Sequence, residues 1–335
     1  MRMLSLNIRG FGSGKDSKVG DFKKLVSRKQ PDVILLQETK CNCVDRNWVS
    51  IIWGSDEFDF IQKEKVGKSG GLLLIWDTNV FVAVESIISD FYVAIKERWK
   101  GWDVESIIVN VYGPHEDANK LKLWLSLGSF VGKHDVAWFL GGDFNEVRED
   151  SERQNCVFMS KRASWFNDFI NESRLLDIPL GGKRFTRICD NGLKFTKLDR
   201  FLVSEKSIQA WGDLSTLALE RKLSDHCPLI LRDKDIDFGP KRTKIFDEWL
   251  DNEGSEEIIK KAWSMNVGGS RLDCVFRNKM KNVKNALKDW SIKSLGKLEE
   301  EINDLKNSAC HWELIAEQRD LNDNERDNWM NVRKK

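Results

Sequence analysis

The first 232 residues are built from short apolar runs, and that texture limits what the chain can fold into. Leu4–Ile8, Val33–Gln37, Gly71–Trp76, Phe81–Ile88, Val104–Tyr112, Val136–Leu140, Leu198–Val203 and Leu229–Leu231 are bounded by Gly, Asp, Asn or Pro. Runs of that length and punctuation read as strands. Helical patterns lie between some of them. Val19–Lys29 is one. Glu116–Val131 is a second, with Leu121, Leu125 and either Leu127 or Gly128 on its inner side. Ser160–Ser173 is a third, with Ser160 as N-cap and Trp165, Phe166, Phe169 and Ile170 as its stripe. Many strands with few helices predict an α/β domain of two sheets packed face to face, helices outside. Periodicity is equally compatible with other α/β layouts.

The texture changes after Phe238-Gly239-Pro240. Leu295, Leu298, Ile302, Leu305, Ala309 and Trp312 recur at alternating three- and four-residue steps, and Met280, Val283, Leu287 and Trp290 do so one register away, with Gly296 near the stutter. Two expectations follow: a sandwich over residues 1–235, then a helical, coiled-coil-like arm over 236–335. The arm either packs on itself or dimerises.

Charge is almost balanced, with 54 Lys+Arg against 53 Asp+Glu in 335 residues. A polycationic nucleic-acid wrapper and an acidic tail are excluded, whereas a local basic rim beside an acidic site is not. No apolar run is long enough to span a membrane, and the N-terminus has no secretory pattern. The seven cysteines are scattered and only four histidines are present. A Cys/His zinc site is therefore not expected, and reduced thiols of a nuclear or cytoplasmic protein are.

Polar residues gather at the C-terminal ends of the strand-like runs. Asn7 ends the first, Glu38 the second, and Tyr112 the run before Gly113-Pro114. Asp143 and Asn145 follow Gly141-Gly142. Asp225 and His226 precede Cys227-Pro228, and Asp199 lies inside a strand. Singly, each fits a turn or a solvated strand end. Together, Asn, Glu, Tyr, Asp-x-Asn and Asp-His in this order resemble the endonuclease/exonuclease/phosphatase superfamily over residues 1–232. The strings LSLNIRGFG (4–12), DVILLQETK (32–40), SGGLLLIWD (69–77), VYGPH (111–115), GGDFNEV (141–147), KLDRFLVS (197–204) and LSDHCPLIL (223–231) are closer still to the endonuclease domain of plant non-LTR (LINE-type) retrotransposon polyproteins.

The resemblance implies a four-layer α/β sandwich, two mixed sheets with helices on both outer sides, and phosphodiester hydrolysis with Mg²⁺ or Mn²⁺. Glu38 matches the principal metal-binding glutamate, a hard oxygen donor suited to such a cation. Asn7 matches the asparagine that helps hold the site, and Asp225 a residue near the metal or leaving group. Asp143 matches the aspartate that activates the attacking water, and Asn145 a contact to the scissile phosphate. His226 matches the histidine facing the phosphate, with Asp199 fixing its ring, and Tyr112 matches a hydroxyl contact. His226 as electrophile or as general base is left open.

Some features depart from the pattern. Arg9 stands where repair-type members carry an acid, which leans toward the retrotransposon branch. Arg187 stands where many retrotransposon relatives have Trp. No polymerase motif or zinc knuckle occurs, so the chain reads as truncated before a reverse transcriptase. DNA is the expected partner. Arg9, Lys68, Arg184, Arg187, Lys197 and Arg200 are expected to touch its phosphates, with self-association through the C-terminal helices. The substrate implies a nuclear location. The competing expectations are a catalytically silent retrotransposon remnant, an apurinic-site repair endonuclease, and a phosphatase of the same superfamily.

Overall fold

The structure, a computed structural model, describes residues 1–11, 17–67, 69–101, 104–189, 194–233, 254–268 and 272–334. The chain divides into two compact units, Met1–Asp235 with Ala316–Asp320, and Ile236–Ile315 with Leu321–Lys335.

Among the described residues, the first unit holds two large sheets. One runs in the order Leu180–Gly181 (β11), Ser215–Ala218 (β15), Leu229–Arg232 (β16), Arg2–Asn7 (β1), Val33–Gln37 (β2), Ser69–Asp77 (β4), Phe58–Val66 (β3). The other runs Leu175–Asp177 (β10), Asp199–Ser204 (β14), Ala137–Asp143 (β8), Glu105–Tyr112 (β7), Tyr92–Trp99 (β6), Phe81–Ile88 (β5). A small third sheet joins Arg187–Ile188 (β12), Phe195–Thr196 (β13) and Arg153–Gln154 (β9). Both large sheets are mixed: β1 pairs parallel with β2 and antiparallel with β16, and β7 pairs parallel with β8, which pairs antiparallel with β14.

Strand alternation sorts the side chains into layers. Met3, Val33, Leu35 and Leu74 point inward and meet Val93, Ile95, Phe139 and Phe201 of the facing sheet. Leu4, Leu6, Ile34 and Leu36 point the other way, against Phe22 and Val26 of Ser17–Lys29 (α1) and Val49 and Ile52 of Arg46–Trp53 (α2). On the far side, Ile107, Val109 and Leu140 are covered by Asp117–Gly132 (α3) and Ser160–Glu172 (α4) through Leu123, Trp124, Phe166 and Phe169. Two sheets between two helical layers make the expected four-layer sandwich.

Three local expectations need correction. Leu121 and Leu125 face solvent, because the buried stripe of α3 is Lys120, Leu123, Trp124, Leu127 and Val131. Met159, not Ser160, holds the cap position of α4, without a side-chain cap bond. The stripe of α4 buries Phe166, Phe169 and Ile170, while Trp165 is half-buried.

The second unit is helical: Ser255–Ser264 (α6, after Glu205–Trp211, α5, in the first unit), Leu272–Gln318 (α7) as far as Ile315, and Asp323–Lys334 (α8). Val283 and Leu287 of α7 are buried against Ala262 and Ile259 of α6. Met280, one step along the same stripe, is exposed. The Phe238-Gly239-Pro240 boundary lies outside the described residues. No described helix is long and apolar enough to cross a membrane.

Candidate active site

Strand register brings the polar residues to one end of the sandwich. In the six-stranded sheet Tyr112 pairs with Asp143, and Asp143 pairs with Asp199. Three site residues thus stand side by side on adjacent strands. In the facing sheet Asn7 ends β1 and Glu38 directly follows β2, its parallel neighbour.

Hydrogen bonds tie the two sheets at this end. Asn7 Nδ2 donates to Asp143 Oδ2 at 2.9 Å. Just below, Gln37 Nε2 donates to Asn110 Oδ1 at 2.6 Å, and Asn110 Nδ2 donates to the carbonyls of Leu36 and Leu73 at 2.9 and 3.0 Å. These buried amides bond across the core and tie the two sheets together beneath the site, with Gln37 Oε1 left without a bond. Sequence reading passes over Gln37 and Asn110, since they look like interruptions of apolar runs.

The turn after β8 is held from three directions. Asn145 takes a left-handed backbone, φ 50°. Its N–H donates to Asp143 Oδ1 at 2.9 Å and its Nδ2 to the Gly113 carbonyl at 2.8 Å. Lys120 Nζ, from α3, donates to the Asn145 carbonyl and to Glu146 Oε2. Gly113 is required here, because a Cβ would lie 2.1 Å from the Phe144 carbonyl oxygen.

His226 Nδ1 lies 2.8 and 3.1 Å from the two oxygens of Asp199, and its Nε2 lies 3.9 Å from Asp143 Oδ2. All three side chains are buried. Burial works against a charged imidazole, but Asp199 and then Asp143 outweigh it and push the His226 pKa up to about 9. Burial also pushes the Asp143 carboxyl up, against the opposing pull of His226 and the Asn7 hydrogen bond. Burial, and after it the charges of Glu38 and Asp143, hold Tyr112 protonated.

Asp143, Asp199 and His226 each offer a ligand atom within 4.8 Å of the others, so this cluster could hold a metal ion. Both Asp199 oxygens already face the His226 ring, however. Further oxygen donors at this end of the sandwich are Glu38, with 15% of its side chain exposed and Lys40 Nζ at 3.0 Å, and Asn7 Oδ1, which accepts from the Arg9 N–H at 3.1 Å. Oxygens of this kind suit a hard divalent cation. Asp225 is neutralised instead by Arg9 and Arg187, at 3.1 and 3.2 Å from its Oδ2. Their charges and that of His226 overcome burial and lower its pKa.

The model of the endonuclease/exonuclease/phosphatase family matches residues 4–226, two thirds of the chain and every residue of this constellation. The chain belongs to that family. Solved structures share the family fold at low sequence identity. The 3′-5′ exonuclease of Neisseria meningitidis aligns with a TM-score of 0.55 and 18% identity over 70% of this chain and 99% of its own. The AP endonuclease of Leishmania major aligns at 0.54 and 15%, covering 69% and 86%. The catalytic domain of Xenopus laevis APE2 aligns at 0.52 and 15%, covering 70% and 92%. No curated protein sequence matches the chain.

In this family member the expected basic rim is smaller than the sequence suggests. Arg200 is 1% exposed, with NH2 on Glu152 Oε2 at 2.7 Å and NH1 on Asp177 Oδ2 at 2.6 Å. Lys197 is mostly covered and pairs with Glu152 at 3.1 Å. Both belong to an ion cluster with Glu152 and Asp177, and Arg200 is too deeply buried to touch a DNA phosphate. Arg184 is exposed and stacks over Phe185, while Arg9 and Arg187 stay partly exposed beside Asp225. Lys68 lies outside the described residues.

Proposed function

We propose that the chain is a divalent-cation-dependent DNA-nicking endonuclease of LINE-type retrotransposon origin. The observation that carries the reading is the strand row Tyr112–Asp143–Asp199 closed by the Asp199–His226 pair. Phosphodiester hydrolysis needs an oriented water, a proton acceptor and stabilisation of charge on phosphorus-bound oxygen. Asp143, with its raised proton affinity, takes the proton of the attacking water. His226, kept cationic by Asp199, faces the oxygen that gains charge. The Tyr112 hydroxyl and the Asn145 amide orient the phosphate. No covalent nucleophile is required.

Glu38 and Asn7 would hold Mg²⁺ or Mn²⁺. When bound, that cation supplies Lewis-acid neutralisation of phosphate charge. The retrotransposon assignment is supported by the seven sequence strings, and DNA as partner by the solved relatives, one of which is a Neisseria 3′ phosphatase bound to a product DNA hairpin. A DNA target places the work in the nucleus. Exposed Phe276 and Met280 on α7 support self-association through the helical unit.

The test is conversion of supercoiled plasmid to open circles with Mg²⁺, with and without EDTA. Glu38→Ala and Asp143→Ala should each lower the rate by about 10²–10⁴-fold. Nicking that survives both substitutions would defeat the proposal, and a preference for a synthetic abasic duplex would redirect it to repair.

A further inference from the structure

We infer that Arg9, Asp225 and Arg187 form a phosphate clamp for the DNA backbone beside the scissile bond. The inference rests on the reading of this site as a DNA nuclease. Three elements meet here. Arg9 follows β1 in a left-handed backbone, φ 51°, and its N–H is fixed by Asn7 Oδ1 at 3.1 Å. Arg187 opens β12 and bridges to His226 through the backbone. Asp225 precedes His226, and its carbonyl accepts from the Ile188 N–H at 3.0 Å.

Arg9 NH1 and Arg187 Nε reach the same oxygen, Asp225 Oδ2, at 3.1 and 3.2 Å. The two nitrogens can therefore be no farther apart than the sum of those distances. Unaided, guanidinium groups so close would repel each other. The carboxylate is 3% exposed and holds them together from below, while Arg9 and Arg187 keep 40% and 32% of their side chains exposed.

The donor chemistry points to an anion with paired oxygens, because planar guanidinium groups are suited to phosphate. Lys18 adds to the positive field. Its Nζ donates to the carbonyls of Ile8 and Gly10, on either side of Arg9, and its pKa is lowered by burial and by the charges of Lys40 and Arg9.

The position relative to the chemistry selects a neighbouring phosphate. Asp143, His226 and Tyr112 already surround the reacting one. Arg187 is bridged to His226 through the backbone and the Arg9 N–H bonds Asn7 Oδ1, so both guanidinium groups flank that ring. Asp225 is thereby assigned as the anchor of the clamp, its Oδ2 shared between two cations. A planar fork on each side suits the paired non-bridging oxygens of a phosphodiester.

The experiment is fluorescence anisotropy of a labelled DNA duplex with the full chain in EDTA, which reads binding without turnover. It is repeated across a range of KCl concentrations for the parent, Arg9→Gln, Arg187→Gln and the double variant. Each single substitution should weaken binding roughly tenfold and lower the log–log salt slope by about one, with the double variant losing about two. Lys206→Gln, at the opposite end of β8 where Lys206 pairs with Asp135, is the control and should leave the slope intact. Thermal melts of each variant separate lost contacts from lost fold. An unchanged slope in folded Arg9→Gln and Arg187→Gln overturns the clamp, as does a parent that does not bind duplex. A parent that binds with this slope but never nicks overturns the nuclease reading and leaves the clamp standing.

Discussion

His226 presents its two ring nitrogens to two different carboxylates, Nδ1 to Asp199 at 2.8 Å and Nε2 toward Asp143 at 3.9 Å. The first contact fixes the ring and the tautomer. The second aims a proton at the row of side chains where the phosphate would sit. Because Asp199 and Asp143 are neighbours on paired strands, the imidazole is positioned by the sheet itself.

That arrangement predicts a pH profile. The carboxylates raise the His226 pKa to about 9, so its cationic form persists through neutral pH and is lost as pH rises past that value. Nicking should fall on the alkaline side near pH 9. Asp199→Asn removes the largest raising charge, so the alkaline limb should move to lower pH and the plateau rate should drop by about 10²–10⁴-fold. Plasmid nicking rates between pH 6 and 10 for both proteins check this, and a limb that stays in place would count against a cationic His226.

Arg200 predicts a loss of stability without loss of DNA affinity. It is buried against Glu152 and Asp177. Arg200→Met takes the buried guanidinium away from both carboxylates, leaving them Lys197 and Arg148, and should cost about 3–5 kcal/mol in urea unfolding. Burial would raise the Glu152 pKa, but Arg200 and Lys197 pull it down to about 2. A depressed folded pKa means the pairing stabilises above the unfolded value near 4.5 and is lost as pH falls toward 2. Parent protein should therefore lose stability across that acid window, and the variant should lose less.

How much of this was readable beforehand differs by residue. Asn7, Glu38 and Asp143 sit where a pure apolar run breaks at its C-terminal end, and parallel strands carry such ends to one edge. That logic needs only local pattern. Arg200 defeats it. The strand β14 is buried from Asp199 to Val203 on both faces, so alternation gives no clue that a charge points inward. Strands β3 and β6 escape the apolar-run pattern for a related reason. Lys63, Glu64 and Lys65, and Lys96, Glu97 and Arg98, dilute the apolar signal of strands that are nonetheless paired along their length. The error over Leu121 and Leu125 has a different cause. Lys120 is drawn inward by Glu146, a contact 26 residues away in sequence, and this rotates the buried face of α3.

Asn110 makes a prediction about the floor of the site. Its amide bonds Leu36, Leu73 and Gln37, all buried. Asn110→Ala removes three buried hydrogen bonds, while Gln37 Nε2 keeps the Ser5 hydroxyl and the Leu35 carbonyl, and should lower stability by roughly 2–4 kcal/mol. Asn110→Asp should be at least as damaging, since it keeps the acceptor for Gln37 and turns both donors into a buried negative charge. Urea unfolding of the two variants gives the comparison, and equal stability to the parent would show that the amide bridge is dispensable.

Glu97 predicts alkaline sensitivity of the fold, away from the site. Its Oε1 accepts from Trp99 Nε1 at 2.7 Å and from the Ser106 hydroxyl, while Oε2 is buried without a partner. Burial is the dominant influence and pushes its pKa up to about 8, with the two hydrogen bonds opposing it. Here the folded pKa lies above the unfolded value, and the group is an acid. Below about pH 4.5 both states hold the proton and Glu97 contributes nothing to the pH dependence. Between there and pH 8 only the unfolded chain releases it, so stability declines as pH rises, by up to about 5 kcal/mol across the window. Glu97→Gln keeps an acceptor for Trp99 and Ser106 and adds no charge. Its unfolding free energy, measured from pH 5 to 9, should exceed that of the parent increasingly toward the alkaline end. Parallel curves for the two proteins would mean that Glu97 is solvated or paired when ionised.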